Sequence, residues 1–225
     1  MLFGFHTSVN STLKQFSPTQ NDESEAVRTI RIVCKLFGPQ GDERNGRRED
    51  WLCYTVLLGK VSSIPLYRGN RFNNLFVDAV GMISHIDDIK TFIYDYVENP
   101  NAKIRGVLQD LQNDCIVSNI CAIAILSSIV TEPFWRLIND NSTNHFDLYQ
   151  YFVLLQQALY HWSKDSTVLL NKDVIPLYSE YPHKTYDILY EGSESCKSTL
   201  EKLSDSLLSV VNRQLVDYLD KRLCG

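Results

Sequence analysis

The side chains here that could do chemistry are its carboxylates, histidines and cysteines, and their spacing limits what that chemistry can be. Asp87-Asp88 and Glu49-Asp50 are adjacent pairs. On a helix neighbours diverge by about 100°, so these pairs read as caps or solvated charges rather than acid–base partners. Asp110 and Asp114 stand four apart, the spacing that places two carboxylates on one helix face within reach of a divalent ion. A solvated face is the stronger reading of that pair. None of the five histidines, His6, His85, His145, His161 and His183, has a cysteine or serine at a catalytic spacing, and no serine sits in a G-x-S-x-G elbow. The six cysteines (Cys34, Cys53, Cys115, Cys121, Cys196 and Cys224) form no C-x-x-C pair, and several fall inside apolar helical patterns where a thiol acts as a small hydrophobe. Neither a structural zinc site nor a glycine-rich phosphate loop is expected, and no cofactor is implied.

Two basic clusters lie beside aromatic residues. One is Arg68-Gly69-Asn70-Arg71 between Tyr67 and Phe72, and the other ends in Arg47-Arg48 ahead of Trp51. Arginines next to a ring can hold phosphates and stack an unpaired base. Arg47, Arg48, Arg68, Arg71 and Phe72 are therefore the candidate nucleic-acid contacts. The competing reading is two solvated loops at helix starts, and the net charge of −5 weighs against a strong electrostatic grip on a phosphate backbone.

The elements that must position these residues are helical. The stretch 115–135 is apolar on nearly every face, broken only by Ser118, Asn119, Ser127 and Ser128. Asn119 within it and Pro133 near its end argue for a central core helix rather than a membrane span. Apolar residues at 26, 27, 30, 33, 34 and 37 predict an amphipathic helix over 25–37, with Arg28, Arg31 and Lys35 as a cationic stripe opposite. It stops at Gly38-Pro39 and is followed by a charged loop over 40–50. Further helices are predicted over 51–59, 71–85, 89–98, 102–112, 146–163 and 195–223, with an extended piece at 62–66. No repeat and no strand ladder is visible. The fold class is all-α, a multi-helix domain around a central buried helix with no substantial β-sheet.

Composition agrees: 44% hydrophobic, 22% charged, 10 glycines and 7 prolines in 225 residues are globular values with ample core. The N-terminus has neither a basic nor an apolar signal region, so the sequons at Asn10 and Asn141 read as accidental and the compartment as intracellular, cytosol or nucleus. Three regions are expected: a polar N-terminal segment over 1–24, a helical body over 25–165, and a looser segment over 166–225 ending in the long amphipathic helix.

The segment Arg68-Gly69-Asn70-Arg71-Phe72-Asn73-Asn74-Leu75-Phe76, with Gly38 to Gly46 ahead of it and Pro133-Phe134-Trp135-Arg136-Leu137 and Trp162-Ser163-Lys164-Asp165 behind, resembles the hAT transposase superfamily over residues 25–170. There an arginine–aromatic–small polar segment opens a helical domain inserted into an RNase H-like core, and Arg71-Phe72-Asn73 take that place. The resemblance implies chemistry by three carboxylates holding two metal ions. This chain departs from it. Almost no sequence precedes the insertion where two of the three acids belong, the third has no assignable counterpart, and no zinc-finger segment is present. The resemblance thus implies a non-catalytic helical region with a nucleic-acid or protein-interaction role. The alternative is a helical scaffold that docks a protein partner, or a second copy of itself, through the C-terminal helix. A helical enzyme with a metal at Asp110 and Asp114 ranks third.

Overall fold

A computed structural model of the chain describes residues 3–15, 23–41, 46–69, 73–140, 143–170 and 194–223. Among them there is no strand, and the all-α expectation holds. The helices are α1 (Phe3–Leu13), α2 (Glu25–Phe37), α3 (Arg48–Leu57), α4 (Asn74–Ile83), α5 (Ile86–Tyr96), α6 (Ala102–Leu111), α7 (Asp114–Leu126), α8 (Glu132–Asn139), α9 (His145–Trp162) and α10 (Glu194–Leu223).

The centre is α7, buried from Ile116 to Leu126 and packed by α2, α4, α6 and α10. The continuous helical run Asp114–Asn139 is long and apolar enough to cross a membrane, but 83% of its most apolar stretch lies inside the fold. That is the behaviour of a core helix. Proline breaks the run. Pro133 has no N–H for the carbonyl of Ile129, and its ring crowds that carbonyl. Directly ahead of it the chain widens into a π-turn, Ser127–Thr131. The hydroxyl of buried Tyr151 on α9 donates to the carbonyl of Val130 in this turn (2.7 Å). A single helix over 115–135 is therefore corrected to α7, a π-turn and α8.

Local signals explain most boundaries. Ser24 caps α2 by accepting from Val27 N–H, and the chain leaves that helix at Gly38. Asn101 caps α6, and Asn113 caps α7 by accepting from the Cys115 and Ile116 N–H groups. An extended segment over 60–69 then lies across α2 and α4. It is admitted by the absence of side chains: a Cβ at Gly81 would sit 2.6 Å from Ser63 O and Pro65 Cδ, and one at Gly38 would overlap Pro65 O.

One element was not expected. The segment over 1–24 contains α1, whose Phe5, Val9 and Leu13 are buried at i, i+4, i+8. α1 packs on α10, and its Asn10 side chain accepts from Ser24 N–H (2.8 Å), so it is tied to the body at both sides. The long helix α10 turns its Leu200, Leu203, Leu207 and Val211 inward against α7, α9 and α1. Thr199 on this helix donates to Asn119 of α7 (2.8 Å), which accounts for the asparagine in the apolar centre.

Candidate interaction surface

Of the expected nucleic-acid residues, three lie among the described residues, on two elements. Arg47 and Arg48 open α3 where its start meets the end of α2, Arg47 N–H donating to Leu36 O (3.0 Å). Arg47 pairs with Asp50 (3.1 Å), while Arg48 and Glu49 are exposed. Arg68 is exposed on the extended segment, which passes the end of α2 at Pro65 and then runs back along it, Tyr67 lying under Lys35 (4.9 Å). Arg71 and Phe72 lie outside the described residues.

The cationic stripe of α2 is engaged within the fold. Arg28 holds both oxygens of Asp110 at 3.0 Å, and Thr29 adds a hydroxyl bond to the same carboxylate. Arg31 pairs with Glu23 (2.7 Å), and Lys35 covers the Tyr67 ring.

The Asp110/Asp114 metal reading is corrected as well. Asn113 separates α6 from α7, so the two aspartates do not share a helix face, and Asp110 is already held by Arg28. Among the described residues no group of three or more His, Cys, Asp or Glu could hold a metal ion. A His–Asp pair does occur: His85 Nδ1 lies 3.3 Å from Asp88, with Ser62 and Ser63 close by. It is not a base. Its Nε2 accepts from the backbone N–H of Ser63 (2.9 Å), and the Ser62 hydroxyl accepts from Trp51 Nε1 (2.8 Å). The pair fastens the extended segment to α5.

Two concave features lie among the described residues. A small cavity with room for about one water (10 Å³) is lined by His6, Glu23, Arg31, Tyr67, Gly69 and Asp78 among others. Asp78 is 2% exposed, and its carboxyl makes no hydrogen bond or ion pair among the described residues. Burial pushes its pKa up to about 7. Burial lowers the pKa of His6, opposed by Glu23, and raises that of Cys34, with Asp78 adding to the rise. A carboxyl poised near neutrality is a feature of active sites, but this cavity is too small for any substrate. Between α1 and α10 lies an open groove of about 1,140 Å³, where Lys164, Lys202 and Arg213 alternate with Glu201, Asp205 and hydroxyl groups. Its mixed charge selects no ligand class.

Among the described residues, the surface that departs most from a solvated helix bundle is the outer face of α3. Trp51, Tyr54 and Thr55 fill its inner face. Leu52, Cys53, Val56 and Leu57 point outward, continued by Leu58 and Val61, with Val56, Leu57 and Val61 exposed to 73%, 76% and 89%. Tyr96 of α5, 58% exposed, packs its ring against Tyr54 of the inner face (4.9 Å). Exposed apolar residues scattered singly are ordinary, whereas these follow one another along one face of a helix. Its signal was present in the sequence: Trp51 to Val61 holds more apolar residues than one buried face of a ten-residue helix can use. No protein-family profile, curated protein or solved structure matches the chain.

Proposed function

We propose that the protein is a non-catalytic helical interaction module, a helical region of the hAT-transposase kind without its chemistry, whose working surface is the outer face of α3. The observation that carries this is the apolar face of Leu52, Val56, Leu57 and Val61, exposed among the described residues. The apolar stripe of α10 up to Val211 is consumed internally, so among the described residues α3 offers the larger docking face. A photoreactive phenylalanine analogue at position 57, compared with one at exposed Gln109 on α6, tests the reading in cells. Specific crosslinked species from position 57 alone support it, and their absence refutes it.

A nucleic-acid role is the second reading, favoured by Arg48 and Arg68, which are exposed and form no ion pair among the described residues. Hairpin-ended DNA titrated across a salt series decides it. Salt-sensitive binding that Arg48→Ala/Arg68→Ala weakens would favour this reading.

A further inference from the structure

The exposed face of α3 is self-complementary end to end. Glu49 stands at its N-terminal end and makes no ion pair among the described residues. Lys60 stands just past its C-terminal end, where Gly59 takes a left-handed turn (φ 67°) and Lys60 N–H closes back on Thr55 O (2.9 Å). Between the two charges lie Leu52, Cys53, Val56 and Leu57. About a point midway between Tyr54 and Thr55, Glu49 mirrors Lys60, Leu52 mirrors Leu57, and Cys53 mirrors Val56.

We infer that the occupant of this face is a second copy of the same chain, docked as an antiparallel α3–α3 pair about a two-fold axis. This rests on the interaction reading above and names its partner. In that arrangement Glu49 of each protomer meets Lys60 of the other at both ends, and the apolar residues meet in the middle. Two-fold pairing uses the same patch twice, so a face with Glu49 at one end and Lys60 at the other satisfies itself only when the helices run antiparallel. The opposed helix dipoles favour the same orientation. Lys60 also reaches Asp88 within its own chain (2.7 Å), but its side chain is half exposed and an ammonium has three donors. The face is one short helix with its flanks, so it forms a small interface that is expected to be reversible.

The test uses the full chain in sedimentation equilibrium over a wide concentration range, with thermal melts to confirm that each variant folds. The wild type is expected to show a monomer–dimer equilibrium, and Leu57→Asp is expected to abolish the dimer. Glu49→Lys and Lys60→Glu each turn two attractive contacts into repulsive ones and are expected to weaken the dimer about 10-fold. An equimolar mixture of these two variants restores both contacts in a heterodimer and is expected to regain wild-type association. A dimer indifferent to these reversals, or a mixture that stays as weak as its components, overturns the antiparallel pairing. A wild type that stays monomeric while position 57 crosslinks to another protein overturns self-association and leaves the interaction module intact. A monomer with no crosslink of any kind overturns both.

Discussion

Asp78 offers a direct test of the packing around α4, because its carboxyl is buried without a partner among the described residues and its cost can be worked out. In the folded chain it titrates near about 7, against 3.8 for an ordinary aspartate. Between those values the folded state holds a proton that the unfolded state has lost. Stability from this group is therefore fully present below the unfolded pKa and is lost as pH rises through the folded one. Each unit of separation is worth about 1.4 kcal/mol, so the group removes about 3 kcal/mol of stability between pH 5 and pH 8. Asp78→Asn keeps the shape and cannot ionise. Urea unfolding at pH 5 and pH 8 is the assay, and the readout is the wild-type change minus the variant change. That difference cancels the titration of His6 and of every group the two proteins share. The variant should gain about 3 kcal/mol on the wild type over this range, seen in melting as roughly 6–12 °C for a chain of this size. Parallel pH profiles, or a variant that loses ground at pH 8, would show that Asp78 is solvated or paired and that the fit of α1, α2 and α4 around it is wrong.

Two smaller perturbations probe other joints. Asp110→Ala removes the anion that holds Arg28 and Thr29; with Arg28 able to reach water, the loss should be about 1–2 kcal/mol in denaturant unfolding, with no change in any metal-dependent stability. Tyr151→Phe deletes the bond to the Val130 carbonyl in the π-turn. Leaving that buried acceptor unpaired should cost about 1–3 kcal/mol, and an unchanged midpoint would mean the turn does not depend on α9.

Helix positions were legible because they rest on local rules. The apolar rhythm and the stop at Gly38-Pro39 placed α2 at its observed bounds, and the rhythm of Leu200 to Val211 placed α10 to within a residue. α1 escaped because Phe5, Val9 and Leu13 make only a thin stripe among polar neighbours, and their value depends on α10, which lies nearly two hundred residues away. The candidate site was less legible. A basic stripe on α2 looks the same in sequence whether it faces solvent or, as here, Asp110, Glu23 and Tyr67. Asp110 and Asp114 looked like one face until the Asn113 cap divided their helices.

The sequence by itself determined that the chain is helical, that α7 is its centre and that the basic residues flank helix starts, since periodicity, capping and proline act over a few residues. Only the tertiary structure decided which charges are spent inside the fold, that Pro133 is met by a π-turn sealed by Tyr151, and that Leu52, Val56 and Leu57 face outward while equally apolar leucines on α10 face in. Hydrophobicity records what a residue would gain by burial, whereas whether a neighbour arrives to bury it depends on contacts between segments far apart in the chain.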